Sequence, residues 1–341
     1  MKLSIGIVGL PNVGKSTLFN LLTKQNILVA NYPFATIDPN IGIVAVPDER
    51  VDKLAELSKS KKKIPAVVEF YDIAGLVKGA STGEGLGNQF LANIRETQAI
   101  VTVLRAFQSP EIIHVEHTVD PLRDLQIINT ELVLKDLETV EKRLGKAEGE
   151  ARTGDKKAVK LFETLKAVRD ELVQDKPAVR FRDEDIVKEM QLLTAKKQLC
   201  LINGVASDVS AELLEAIKNL GGDYLFMNLA DTTDLSPLIK KAYEILDLIS
   251  FLTTGEDETR AWTIRRGAKA PEATGTIHTD FEKNFIRAEV VPYADLVAAA
   301  AHSTNSGHVD AWAQAKQKGK MRLEGKDYVV QDGDVIVVRH G

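Results

Sequence analysis

The chain is poor in cysteine and in aromatic side chains and has no long apolar run, and each shortage removes a class of protein. A single cysteine, Cys200, among 341 residues excludes an internal disulfide framework and a multi-thiolate metal centre. It lies in the apolar run Leu199 to Ile202, where a small core side chain is expected rather than a nucleophile. No stretch nears the roughly 18 apolar residues that a membrane-spanning helix needs. The apolar run behind Lys2 imitates a leader, but it passes at Leu10 into Pro11-Asn12-Val13-Gly14-Lys15 with no small-residue cleavage site. It therefore reads as a first strand, and a cytoplasmic location without membrane attachment is expected. An excess of positive charge is also missing. The formal net charge of −5 argues against a polycation that coats nucleic acid, and no sequence-specific DNA binding is expected.

What remains is an ordinary globular composition, in a chain long enough for two or three compact units. Its first half alternates short Val/Ile-rich runs with helical periodicity. Leu3 to Val8, Ile41 to Val46, Ala66 to Asp72 and Ala99 to Leu104 read as strands, and Lys15 to Leu22 and Gly87 to Thr97 as helices. Further strands are expected at Gln198 to Asn203 and Tyr224 to Asn228. The fold class is thus α/β, a sheet covered by helices.

Between these halves, Val133, Leu137, Val140, Leu144, Ala147 and Ala151 recur at spacings of four and three. The pattern breaks at the polar Arg152 to Lys157 and resumes at Ala158, Leu161, Leu165, Val168 and Leu172. Two such seams with a short link predict an inserted antiparallel helical hairpin, about 129–195. The nucleotide-binding part is expected over 1–252. A small α+β domain follows over 253–340, with strands at Arg260 to Arg266, Ile286 to Val291, Tyr328 to Val330 and Val335 to Arg339. The lysine run Lys59 to Lys63 reads as a solvated turn. In the interleaved Arg260-Ala261-Trp262, an RNA-contact strand and a packed tryptophan weigh equally.

Gly9-Leu10-Pro11-Asn12-Val13-Gly14-Lys15-Ser16 fits the phosphate-binding loop pattern between a strand and a helix. Such a loop turns its N–H groups inward, and the helix behind it offers its positive end to an anion. Asn12, Val13, Gly14, Lys15, Ser16 and Thr17 are the expected phosphate-side contacts. Lys15 reaches the β- and γ-phosphates, and the Ser16 hydroxyl binds Mg²⁺. Asp72-Ile73-Ala74-Gly75 ends a strand where a carboxylate can hold the metal through water and the Gly75 N–H can sense the γ-phosphate. Thr36 is the expected second metal hydroxyl. Gly79, Gly83, Gly85 and Gly87 predict a loop that responds to the nucleotide.

Several runs beyond the loop carry a resemblance: Asn31-Tyr32-Pro33-Phe34, Asp72 to Ala80, Gly83 to Asn88, Ile112-Ile113-His114-Val115, Val119-Asp120-Pro121, and the C-terminal Arg-Ala-Trp-Thr-Ile and Arg-Leu-Glu-Gly-Lys-Asp-Tyr. With them the whole chain resembles a translation-factor-class GTPase and, more closely, the YchF family of Obg-like ATPases. The resemblance implies a nucleotide-binding domain with a hairpin insertion and a C-terminal β-grasp TGS domain. It also implies association with the ribosome, on its large subunit, and His114 as the group that acts on the attacking water.

The base is read from the end of the later strand. A guanine-specific site needs Asn-Lys-x-Asp, whereas here stands Asn203-Gly204-Val205-Ala206. Without the carboxylate, guanine's buried N–H groups lose their acceptor at about 1–3 kcal/mol each. The family implies Asn-x-x-Glu and ATP, and Ala206 departs from that pattern too, while Asp208 in a shifted register is an alternative acceptor. Asn203 and Gly204 are the expected base-side contacts, and ATP the expected ligand. Leu76 follows Gly75, where Ras-like enzymes place a water-orienting Gln, so slow intrinsic hydrolysis is expected. A GTPase with a non-standard base pocket and a ribosome- or RNA-binding scaffold holding nucleotide as a structural ligand are the competing readings.

Overall fold

The computed structural model describes residues 4–24, 40–73, 91, 93–301 and 308–340. Contacts divide the chain into two compact units. The first takes the N-terminal strand and helix and then Glu69–Leu235, and the second holds Ile43–Val68 and the chain from Ser236 onward.

In the first unit, β1 (Ser4–Val8) is buried along its whole length and leads into α1 (Lys15–Lys24). The buried positions of α1, Lys15, Leu18, Phe19 and Leu22, follow the three-four spacing of one helical face. The sheet continues with β2 (Ile41–Ala45) and β4 (Val67–Asp72), two strands that the division between the units cuts, and with β5 (Ala99–Arg105), β6 (Lys197–Asn203) and β7 (Asp223–Phe226), in the order β2-β4-β1-β5-β6-β7. The pairs β1–β4, β1–β5, β5–β6 and β6–β7 are parallel. β5 is buried at every position and mostly apolar, as expected of a parallel strand with no solvent face, Thr102 and the terminal Arg105 being its polar residues. Cys200 sits inside β6, and burial pushes its thiol up to about 12, consistent with an inert core residue.

The helical hairpin is α3 (Pro121–Ala151) and α4 (Lys156–Leu172). Asp120 caps α3 by accepting from the Leu122 and Arg123 N–H groups, ahead of Pro121 in the first turn. Val133, Val140 and Ala147 of one helix pack with Leu165, Val168 and Leu172 of the other, with Leu137, Leu144 and Leu161 partly buried beside them. These are the residues of the two apolar seams. The base of the hairpin is closed by α5 (Asp185–Met190) and by Asp136, whose carboxylate accepts from the Leu193 and Thr194 N–H groups at 2.8 Å and from the Thr194 hydroxyl at 2.7 Å. Between β6 and β7 the chain forms α6 (Ala211–Asn219), which packs against β7 and α3.

The second unit contains α2 (Glu49–Ser58), β3 (Lys62–Ile64), α7 (Ser236–Ile245), β8 (Leu248–Thr254), β9 (Glu258–Arg265), α8 (Ala270–Gly275), α9 (Thr279–Lys283), β10 (Phe285–Pro292), α10 (Tyr293–Ala301), α11 (His308–Gln317), β11 (Arg322–Glu324) and β12 (Asp334–His340). Its sheet order is β11-β10-β12-β8-β9-β3. The expected boundary at 252/253 falls within β8. The lysine run is a turn only at its start, where Lys59 has left-handed backbone; Lys62 and Lys63, though exposed, belong to β3, parallel to Glu258 and Thr259 of β9. Lys61 and Lys63 pair with Asp257 and Asp52. Residues 328–330, expected as a strand, make a single bridge from Val329 to Lys269. Trp262 packs beside Phe251 on the core cluster, its ring covered by the Arg260 guanidinium at 3.9 Å, which is the packed reading of that strand.

Candidate nucleotide site

The phosphate-binding loop leaves β1 at its carboxyl end, the edge of a parallel sheet where ligands collect. Three residues with positive φ shape it, Gly9 at 157°, Asn12 at 64° and Gly14 at 109°. A side chain at Gly14 would put its Cβ 2.5 Å from Asn203 Nδ2, so glycine here serves both the backbone angle and the close approach. The first bond of α1 is Leu18 N–H to the Gly14 carbonyl at 2.9 Å. The N–H groups ahead of it are therefore left for a ligand.

Beside the loop lies a cavity of about 480 Å³, within the size range of small-ligand sites. Asn12, Gly14, Lys15, Ser16 and Thr17 line its phosphate side; Phe107, Ile112, Asn203, Asn228, Leu229 and Ala230 line the rest. Val13 and Gly204 are not among the lining residues. The Val13 carbonyl is turned to Asn203 at 3.0 Å, and Gly204 is packed against Ala106 and Phe107. Asn203 is buried and its amide is engaged at both ends, since Nδ2 donates to Val13 and Oδ1 accepts from the Leu229 N–H at 3.0 Å. It braces the site from behind.

Lys15 is buried and its ammonium donates to the Leu10 carbonyl at 2.7 Å. Burial lowers it to about 8, against the opposing pull of Asp72. The Asp72 carboxyl is raised by burial and pulled back by Lys15. A cation and a carboxylate left in each other's field, each disfavoured by desolvation, suit a site that receives phosphate and a metal. The Ser16 hydroxyl at the start of α1 and the Asp72 carboxylate at the end of β4 are hard oxygens of the kind that could hold Mg²⁺. Thr36, Gly75, Leu76 and the glycines from Gly79 to Gly87 lie outside the described residues.

His114 is 3% exposed and is not among the residues that line the cavity. Its Nε2 donates to the buried Asp124 carboxylate at 2.8 Å, and its Nδ1 accepts from the Glu116 N–H at 3.1 Å. The second bond fixes the tautomer, because an N–H can donate only to a bare nitrogen. Its neighbour Ile113 is 75% exposed and offers its carbonyl to Asn12 Nδ2 at 3.0 Å. Asp208, the alternative base acceptor, is exposed, and its carboxylate accepts from the Val205 N–H at 3.3 Å. Sequence reasoning missed Phe107, Ile112 and Asn228 to Ala230. Their one signal is position, each lying in the stretch of chain that follows the carboxyl end of a parallel strand, β5 or β7.

Two family models match: one described as a 50S ribosome-binding GTPase over residues 4–140, and the C-terminal domain of YchF GTPases, described as of unknown function, over 248–341. The ribosome-binding ATPase YchF of Bacillus subtilis is 46% identical across 99% of both chains. Obg-like ATPase 1 of Gallus gallus is 41% identical over 98% of this chain and 91% of its own. Among solved structures, the YchF GTPase of Schizosaccharomyces pombe matches with a TM-score of 0.82 at 39% identity, covering 99% of this chain and 98% of the other.

Proposed function

The chain belongs to the YchF family of P-loop nucleotide hydrolases, and from that premise we propose that it is a Mg²⁺-dependent ATPase whose nucleotide state is read by the ribosome. The observation that carries the choice of base is the lining of the cavity away from the phosphate loop. Phe107, Ile112, Leu229 and Ala230 are apolar, Asn203 and Asn228 are amides, and no carboxylate is among the described lining residues. Guanine would leave its N1–H and N2–H₂ without the acidic partner on which discrimination of this kind rests. Adenine makes no such demand. Asp208, on which a GTPase reading depends, is engaged with its own turn.

Lys15 trades its bond to the Leu10 carbonyl for the β- and γ-phosphates, and the unpaired N–H groups at the start of α1 receive the remaining oxygens. Ser16 and, by expectation, Thr36 supply hydroxyls to Mg²⁺, with Asp72 behind them. When bound, the metal neutralises charge on the transferred phosphoryl group. The Gly75 N–H is the proposed sensor of the γ-phosphate. His114 is the proposed group for the attacking water. With Nε2–H on Asp124, its lone pair is on Nδ1, so acting on water requires giving up the Glu116 N–H and leaving its buried position. That requirement accords with slow turnover.

The names of the relatives support a ribosomal partner, and the description of the N-terminal family model supports its large subunit. A cytoplasmic setting goes with that partner. Competition binding of ATP and GTP tests the base, with GTP bound the more tightly as the overturning result. Single-turnover hydrolysis by His114→Ala tests the histidine: wild-type turnover at unchanged ATP affinity removes it from the mechanism. Co-sedimentation with separated ribosomal subunits in ATP and in ADP tests the partner.

A further inference from the structure

Arg105 is among the largest side chains completely buried in the protein, at 1% exposure. It ends β5, in register with Asn203 of β6. A buried guanidinium normally has a carboxylate to compensate its desolvation. Among the described residues none comes within 4.0 Å of it, and its donors go instead to main-chain carbonyls of one loop. Nε donates to Phe107 at 3.1 Å, Nη1 to Ile112 at 3.0 Å, and Nη2 reaches Ser109 at 3.5 Å. The guanidinium also lies over the Phe107 ring, 4.4 Å from its centroid.

The two residues held by the shorter bonds, Phe107 and Ile112, both line the nucleotide cavity on the side away from the phosphate loop. The Ala106 and Phe107 N–H groups donate to the Asn203 carbonyl at 3.0 and 3.2 Å, fixing where the loop leaves the sheet. Arg105 then fixes its curvature, because a rigid fork can satisfy those carbonyls together only in one loop shape. One ring face of Phe107 is occupied by the cation, which sets the orientation of the ring.

We propose that Arg105 is a positioning residue for the purine base: from inside the fold it shapes the wall formed by Phe107 and Ile112, and it takes no part in holding the phosphates. The inference rests on the nucleotide-site reading above, and it predicts a division that a general loosening of the fold would not give. Binding of Mg-ATP and of Mg-tripolyphosphate, which has the phosphates and no base, is measured by calorimetry on the full chain. R105K keeps the buried charge and loses the fork; R105M removes both. R105K should lose roughly tenfold in ATP affinity while tripolyphosphate affinity stays within about twofold of wild type, and its preference for ATP over GTP should narrow. R105M should show the same division more strongly, and if it does not fold, R105K carries the test. Unchanged ATP affinity in R105K, or parallel weakening of ATP and tripolyphosphate, overturns the role of Arg105. Failure of the wild-type chain to bind Mg-ATP while it binds tripolyphosphate overturns instead the base reading beneath it.

Discussion

Asn203 holds the phosphate-binding loop from behind: its Nδ2 donates to the Val13 carbonyl at 3.0 Å, and its Oδ1 accepts from the Leu229 N–H at the same distance. One amide thus ties the loop after β1 to the loop after β7. Asn203→Ala leaves both buried partners unsatisfied and is expected to cost about 2–3 kcal/mol of stability. It should also weaken ATP and tripolyphosphate together, since the brace serves the phosphate end. Chemical denaturation and calorimetry check the two effects. Asn203→Asp should be no better, because a carboxylate turns an acceptor toward the Val13 carbonyl.

Gly14→Ala meets two obstacles, a φ of 109° and a Cβ 2.5 Å from Asn203 Nδ2. The loop has to shift to relieve them, at about 1–3 kcal/mol. ATP affinity is expected to fall roughly ten- to a hundredfold with the rest of the fold intact. Circular dichroism beside a binding titration would show whether the loss is confined to the site.

Lys15 links the site to pH. Its folded-state value is depressed from 10.5 to about 8 by burial, so the unfolded chain binds more protons than the folded one between those values. Stability contributed through Lys15 therefore rises as pH climbs from about 8 to 10.5, as the cost of a buried charge is relieved. Lys196, also lowered to about 8 by burial, adds a rise in the same window, and Lys15→Met isolates the share of Lys15. This variant should melt higher than wild type at pH 7 without ligand, and should gain nothing from Mg-ATP, which raises the melting temperature of the wild type. A ligand-free Lys15→Met that melts lower than wild type would contradict the desolvation argument.

Asp136 accepts two backbone N–H groups and one hydroxyl in the interior. Burial raises its carboxyl, and these bonds oppose the shift. Asp136→Ala strands the Leu193 and Thr194 donors, and about 3–5 kcal/mol of stability should go with them. Asp136→Asn is expected to be nearly as harmful, since its amide brings a further donor to a place that needs acceptors. Urea unfolding monitors both, and ATP affinity at low temperature should be little changed, because Asp136 is not among the residues lining the cavity.

Asp208 separates the ATP reading from a GTPase reading. Its carboxylate caps the Val205 N–H, and Asp208→Ala should cost about 1 kcal/mol of stability while leaving the ratio of ATP to GTP affinity where it was. A selective fall in GTP affinity would restore Asp208 as the base acceptor.

Much of this fold is legible in the sequence because it is local. The phosphate loop is eight adjacent residues with strand and helix on its flanks. The hairpin seams repeat every three or four residues, so spacing alone assigns Val140 and Leu165 to a core. Other features join distant parts of the chain. β3 is three residues, two of them lysines, and becomes a strand only because Glu258 to Arg260 lies alongside it; no local pattern announces that pairing. The expectation of a new domain from 253 onward missed β8, which begins at Leu248, and the contribution of Ile43–Val68.

The nucleotide site divides the same way. The sequence by itself determined a phosphate-binding loop over Gly9 to Ser16, because that pattern is written in its spacing. Only the tertiary structure decided what surrounds it. It gave Asn203, which lines the cavity, a further task as a brace 190 residues from the carbonyl it holds, and gathered Phe107, Ile112 and Leu229 into one wall. It also set His114 on Asp124 with both ring nitrogens engaged. The reason is physical: a buried polar group must find a partner wherever the packed chain brings one, and which partner arrives is a property of the fold, not of the neighbouring residues.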